Sequence, residues 1–238
     1  MKASNKILWI AIGGLFGCVI ALLIFIRVST SPLMERVEPM PEVTGSKALV
    51  SRSYPLKYFS GIKASGKWNL QLQSGETYAV QIEAPEYFLE GLIVEKEKDV
   101  LNLDIKRGWR LKSGELKAQV TLPSLKSLHV SGSVTVDMNG FEGERLKIKA
   151  SGSTRLGGRA NKLYYLTLKG SGSTKLDLLD NPITFVDIDL SGSSAVSVTM
   201  AGGDLKGSIS GSGTVVYDGD IRDQEVSISG SGSVKRRK

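Results

Sequence analysis

Six stretches decide how this chain folds: LHVSGSVTV (128–136), IKASGSTRL (148–156), LKGSGSTKL (168–176), IDLSGSSAV (188–196), GSISGSGTV (207–215) and VSISGSGSV (226–234). The triplet Ser-Gly-Ser begins at 131, 151, 171, 191, 210 and 229, at spacings of 20, 20, 20, 19 and 19. A steady period of this length marks a repeat architecture in which each repeat is one supersecondary unit. Aligned on the triplet, the columns separate. One residue before it stand Val130, Ala150, Gly170, Leu190, Ile209 and Ile228; three before stand Leu128, Ile148, Leu168, Ile188, Gly207 and Val226. Five after its first Ser stand Val136, Leu156, Leu176, Val196, Val215 and Val234, all aliphatic. The interleaved column of His129, Lys149, Lys169, Asp189, Ser208 and Ser227 is polar.

Alternation with period two is the strand signal, and no single unit of this size can bury its apolar face alone. Parallel stacking at ~4.8 Å per rung aligns the aliphatic columns into one core, and six rungs give ~29 Å of solenoid. The central Gly of each triplet supplies a backbone conformation that a side chain resists, and the flanking Ser hydroxyls can bond local backbone or the next rung. The expected fold is all-β, a parallel β-helix. A propeller is disfavoured, because its blades need ~40–50 residues each.

Working outward toward the N-terminus, the alternation continues through Ile62, Ala64, Trp68, Leu70 and Leu72; Val80, Ile82 and Ala84; Leu101, Leu103 and Ile105; and Leu116, Ala118, Val120 and Leu122. These strands extend or cap the solenoid. No stretch beyond residue 30 holds helical spacing for three turns, and 85–95 (PEYFLEGLIVE) is the least regular part.

The F-x-x-I-x-A-S-G start at Phe59–Gly66, the VTLPSL segment at Val120–Leu125 and the Ser-Gly-Ser ladder after it resemble the head GIN domain, a family named for autotransporter adhesin heads and found in bacterial envelope proteins. The resemblance covers roughly 58–234. It implies a right-handed parallel β-helix and brings no catalytic residues with it.

Before the β domain, Ile7–Ile26 is a 20-residue uncharged run, ILWIAIGGLFGCVIALLIFI. As a helix it spans ~30 Å, the thickness of a bilayer's hydrocarbon core. Lys2 and Lys6 precede it, Arg27 closes it, and Trp9 lies near one interface. A cleaved signal has a shorter apolar core of ~7–15 residues and a small-residue cleavage site. A lipoprotein signal at Cys18 would place Phe16 where a small residue is wanted. An uncleaved anchor fits better, with the N-terminus cytoplasmic by a slight excess of basic residues. The expected organisation is a cytoplasmic segment 1–6, an anchor 7–28, a linker 29–54 carrying Pro32, Pro39 and Pro41, a β-helix 55–234 and a basic tail 235–238. The expected location is the bacterial inner membrane, single-pass, with the C-terminal domain periplasmic or extracellular.

Of 238 residues, 31 are Lys or Arg and 24 Asp or Glu, a formal charge of +7. Setting aside Lys2, Lys6, Arg27 and the tail Lys235–Lys238 leaves 24 basic against 24 acidic residues. A nucleic-acid surface needs a basic stripe on the fold itself, so no nucleic-acid partner is expected. The tail reads either as a charged cap on the last rung's edge or as an attraction to anionic lipid or envelope polymer. The single Cys18 excludes an intrachain disulfide, and the single His129 excludes a multi-histidine metal centre.

Candidates for chemistry are few. Asp187 and Asp189, and Asp218, Asp220 and Asp223, are the carboxylates a β-helical glycosidase or lyase would cluster. Asp187 and Asp189 also read as a solvated strand face, and Asp218-Gly219-Asp220 as a turn. Gly170–Lys175 superficially resembles a phosphate loop, but no helix follows. His129 stands in an outward column. Calcium solenoids repeat Asp where this chain repeats Ser. No catalytic, cofactor or metal residue is therefore assigned, and no cofactor is expected. The expected function is non-enzymatic: a membrane-anchored envelope β-solenoid for adhesion, scaffolding or protein interaction, with an envelope protein or polysaccharide as partner and self-association possible. The alternative is a β-helical carbohydrate-active enzyme acting on envelope or extracellular polysaccharide.

Overall fold

In the period-two segments, apolar residues point to one side and polar residues to the other, which is what a half-buried strand requires. The computed structural model describes residues 48–111 and 114–237. Its strands are β1 (Leu49–Tyr54), β2 (Gly61–Ser74), β3 (Ala79–Pro85), β4 (Leu92–Glu97), β5 (Val100–Ile105), β6 (Leu116–Leu122), β7 (Ser127–Asn139), β8 (Glu142–Arg159), β9 (Lys162–Ala201), β10 (Asp204–Gly211), β11 (Thr214–Asp220), β12 (Asp223–Gly230) and β13 (Ser233–Arg236). One short 3-10 helix, Glu86–Gly91, falls in the segment whose sequence was least regular. The described chain is all-β, in one mixed thirteen-stranded sheet.

The repeat becomes a run of parallel pairings in constant register. Gly66 lies opposite Gly132, Gly132 opposite Gly152, and Gly152 opposite Gly172. Gly192 lies opposite Gly211, and Gly211 opposite Gly230. Within β9 itself, Thr199 bonds back to the Leu179 carbonyl and Lys169 reaches Asp189, both across 20 residues. The ladder has one more member than the six triplets, because Ser65-Gly66 of β2 joins it ahead of the first.

All seven of these glycines have positive φ, from +81° at Gly152 to +113° at Gly66. Packing adds a second requirement. A Cβ on Gly152 would stand 2.5 Å from the Gly132 carbonyl oxygen, and one on Gly132 2.4 Å from that of Gly66. The corner backbones approach too closely for any side chain, so glycine is demanded by space as well as by torsion.

The aliphatic columns are the core. Leu128, Ile148, Leu168 and Ile188 are buried, as are Val136, Leu156, Leu176, Val196 and Val215. At Gly170 the column lacks a side chain, and a Cβ there would meet Leu190 Cδ2 at 3.0 Å. The larger neighbour fills the space. In the last rung, Val226 and Val234 are half-buried and Ile228 is 45% exposed.

Residues 49–122 cap the ladder. β5 pairs parallel with the first part of β2 (Gly61–Ala64), and β6 with the second (Trp68–Ser74). β3 then pairs antiparallel with β6, β1 antiparallel with β3, and β4 antiparallel with β5. Two boundaries differ from the sequence reading. Leu49–Tyr54, read as the end of the linker, is strand β1, with Val50 and Tyr54 packed against the core. Lys235 and Arg236, read as tail, continue β13 in parallel pairing with Val216 and Tyr217. Among the described residues no helix is long and apolar enough to cross a membrane. The anchor Ile7–Ile26 and most of the expected linker lie outside the described residues.

Candidate functional site

Because the corners stack without slipping, outward side chains on successive rungs also stack. Two residues before each corner glycine's Ser stand Lys63, His129, Lys149 and Lys169, each opposite the next across the ladder. The column then changes sign at Asp189 and becomes neutral at Ser208 and Ser227. The corner serines form a second column alongside. Between the two runs a groove of about 450 Å³, lined by the side chains of Lys63, His129, Lys149 and Lys169 on one wall and Ser131, Ser151, Ser171 and Ser191 on the other. The intervening Ala64, Val130, Ala150 and Gly170 line it between the walls. Ala64, Val130 and Ala150 are buried in the core, so they floor the groove without a side chain that fills it, and Asp189 marks its far end.

The polar contacts in the groove are local. Ser65 and Ser131 share a hydrogen bond of 3.0 Å between their hydroxyls. Lys169 Nζ donates to Asp189 Oδ2 at 2.9 Å, which raises the lysine's pKa by hydrogen bond and charge. Lys63, Lys147 and Lys149 make no ion pair among the described residues. Burial lowers the pKa of the His129 imidazole, and the nearby charges of Lys149, Lys147 and Lys63 lower it further. The histidine expected to be outward is thus half-buried within a lysine cluster.

The other candidates are placed apart. Asp187 and Asp189 lie opposite Lys206 and Ser208 of β10, whereas Asp218 and Asp220 lie opposite Thr199 and Ala201 on a different stretch of β9. Asp218 accepts from the Gly219 amide at 2.7 Å and lies 3.9 Å from Arg237, but Asp218-Gly219-Asp220, expected as a turn, closes strand β11 instead. Asp220 pairs with Arg236 at 3.1 Å, and Asp223 opens β12 on the surface. Most of these carboxylates face cations, and the structure does not gather them into one pair. Gly170–Lys175 runs on as strand within β9. Among the described residues no three His, Cys, Asp or Glu side chains converge as metal ligands would.

Three features escaped the sequence reading. The groove is one; its signal is the charge of the polar column. The second is a buried asparagine pair. Asn161 accepts from the Phe141 amide at 2.9 Å and donates to the Met138 carbonyl at 2.9 Å and to Asn181 Oδ1 at 2.7 Å. Asn181 donates onward to the Gly158 carbonyl at 2.7 Å. Their 20-residue spacing was the available signal. The third is a stripe on the same outer face as the lysines. Arg145 lies 4.6 Å over the Tyr165 ring, Tyr165 stacks on Phe185 at 5.9 Å, and Arg222 lies 5.7 Å over Phe185 while gripping Asp204 with two bonds of 2.8 Å.

Fold and groove together define a class: an all-β repeat domain whose glycine corners hold outward side chains in registered columns. The chain belongs to the family described as "Putative auto-transporter adhesin, head GIN domain", whose model matches residues 58–178, 142–220 and 163–238. No curated protein matches it. Among solved structures, one described as a putative adhesin from Bacteroides fragilis is similar at 19% identity and a TM-score of 0.61, covering 81% of this chain and 98% of its own. Another, described as a putative adhesin from Parabacteroides merdae, is 19% identical with a TM-score of 0.52, covering 82% and 98%. A third, described as a putative lipid binding protein from Parabacteroides distasonis, is 18% identical with a TM-score of 0.56, covering 82% and 98%. At such identities the likeness establishes the fold alone.

Proposed function

We propose that this chain is a right-handed parallel β-helix displayed on the outer side of a bacterial membrane, tethered through Ile7–Ile26, and that it works by binding, without catalysis. The observation that carries this reading is the register of the outward columns. Successive rungs place the same position of the repeat at the same height on one face, from Lys63 through Ser227. Such a surface sets one outward side chain per step along a single line, where an extended partner can meet several at once. Family membership supports an interaction role at the envelope, since the family is described as an adhesin head. The pairing of Asp189, Asp218 and Asp220 with Lys169, Arg237 and Arg236 supports binding over hydrolysis. A glycosidase needs two carboxyl groups facing one another across a substrate.

Proteolysis tests the placement. Protease added to intact spheroplasts should degrade the β domain while a cytoplasmic marker survives. Full protection of 55–234 would overturn the topology. Crosslinking in intact cells should then trap the domain on an envelope component.

A further inference from the structure

We propose that the groove between the lysine and serine columns binds a linear anionic polysaccharide, with the chain lying along the stacking direction and one acidic sugar meeting each rung. The proposal rests on the envelope-binding reading above and names the ligand of its surface.

Like charges directly opposite one another destabilise a strand pair. Here Lys149 and Lys169 are directly opposite, and Lys63 and His129 continue the same column. Of the three lysines in the column only Lys169 has a carboxylate partner, and that partner is the groove's end, Asp189. A surface evolved only for solubility intersperses both signs. A column of one sign beside an open groove is what a partner of the opposite sign would neutralise.

The shape and the second wall select the kind of anion. The positions of the column repeat every ~4.8 Å, with His129 between the first two of its three lysines, so Lys63 to Lys169 spans ~14 Å along one line. That line suits a thin polymer whose repeat is comparable with one sugar ring. A flat lipid surface would be met by protruding lysines, and these stand beside a recess. The opposite wall is a row of hydroxyls: Ser131, Ser151, Ser171 and Ser191. Hydroxyls donate and accept, which matches the hydroxyls of a sugar as well as its carboxylates. Asp189, with Ser208 3.5 Å from its other oxygen, ends the cationic run and sets the length of chain held.

The test uses the full chain in an uncharged detergent, with an oligomer of polygalacturonate as probe and dextran as the neutral control. Binding to polygalacturonate, weakening as salt rises, is expected, with none to dextran. Lys63→Ser/Lys149→Ser should weaken binding by about thirtyfold, and serine is already carried at this column by Ser208 and Ser227. Arg155→Ser/Lys175→Ser makes the same charge change at another exposed column and should stay within about twofold, since charges beyond a Debye length are screened. Lys149→Glu separates binding from folding: it should abolish binding while leaving the melting temperature at or above that of the parent. Equal binding by both double variants would overturn the proposal. So would binding to phosphatidylglycerol vesicles in place of polygalacturonate, or a dimer broken by Lys149→Glu. A folded chain that binds no polygalacturonate yet is degraded from outside and crosslinked at the envelope would refute the ligand and leave the envelope reading standing.

Discussion

The ladder from β7 to β13 and the cap from β1 to β6 are built from the same kind of strand, but they hold together differently. In the ladder each rung repeats the pairing of the one before, and its core is a set of aliphatic columns. The cap pairs strands both ways and fills its interior with rings. Phe59 packs on Tyr78 at 5.1 Å, and Phe88 meets Trp109 edge-on at 5.8 Å. Gly91 sits so close under Trp109 that a Cβ there would lie 2.3 Å from the ring. The ladder's stability is a sum of nearly equal neighbour terms; the cap depends on a few large, singular contacts. β2 belongs to both. It pairs with β7 from Gly61 to Gln73 and with β5 and β6 on its other edge.

The largest expected effect lies at that junction. Trp68 is 1% exposed on β2, and its indole N–H donates to the Ser65 carbonyl at 2.9 Å. Trp68→Ala should cost ~3–5 kcal/mol, and Leu176→Ala in the middle of the ladder ~2–5 kcal/mol. Because β2 is shared, thermal unfolding of Trp68→Ala should remain one transition. Two separated transitions by circular dichroism would show that cap and ladder fold independently.

A glycine pair comes next and separates packing from torsion. Gly152 and Gly202 have nearly the same φ, +81° and +83°. A Cβ on Gly152 meets the Gly132 carbonyl oxygen, whereas a Cβ on Gly202 has nothing within 4 Å. Gly202→Ala should therefore cost only the torsional ~1–2 kcal/mol. Gly152→Ala should add an overpacking cost of ~1–3 kcal/mol. Equal losses in urea midpoint would mean that the close stacking of the corners has little energetic weight.

Asn181→Ala is smaller and probes a corner the triplet does not define. It takes the Asn181 bond from the half-buried Gly158 carbonyl and from Asn161, whose side-chain amide keeps the Met138 carbonyl, at a total cost of ~1–3 kcal/mol. Hydrogen exchange should speed up at Asn161, whose backbone amide bonds Asn181 Oδ1 at 2.9 Å. Unchanged exchange there would remove the asparagine pair from the list of stabilising contacts.

The same contrast explains what could be read in the sequence. The ladder was legible because each error in register would repeat: one shift would turn the aliphatic column of Val136, Leu156 and Leu176 outward on every rung. The cap was legible only as strands. Nothing in period two says whether β3 runs with or against β6, and β1 has just two residues, Val50 and Tyr54, packed on the core. Alignment on Ser-Gly-Ser also hid Asn161 and Asn181, since the equivalent position one rung earlier is Phe141. The groove was hidden for a different reason. Alternation separates inside from outside and carries no information on whether an outward column is paired with its neighbours or left open.

Acid titration gives the smallest predicted effects and divides them between two groups of the ladder. Asp204 is buried, and its carboxylate is held below its ordinary pKa of 3.8, chiefly by the Arg222 hydrogen bonds, with Lys206 adding to it. Its folded pKa is depressed, so its contribution is present above pH 3.8 and is lost as pH falls through the lower folded value. His129 is also depressed, from 6.5, so acid destabilises the fold through it too, but its charged form is the protonated one. Above pH 6.5 it is neutral in both states and contributes nothing. Below 6.5 the unfolded chain takes up the proton first, so stability declines until the folded imidazole is protonated as well, and then levels off. The groups facing it are Lys63 on β2 and Lys147 and Lys149 on β8. His129→Gln should therefore flatten the pH dependence of the urea midpoint just below 6.5 and leave the limb below 3.8 intact, while Asp204→Asn should do the reverse. A limb below 6.5 that survives in His129→Gln would mean that another group in the fold titrates there.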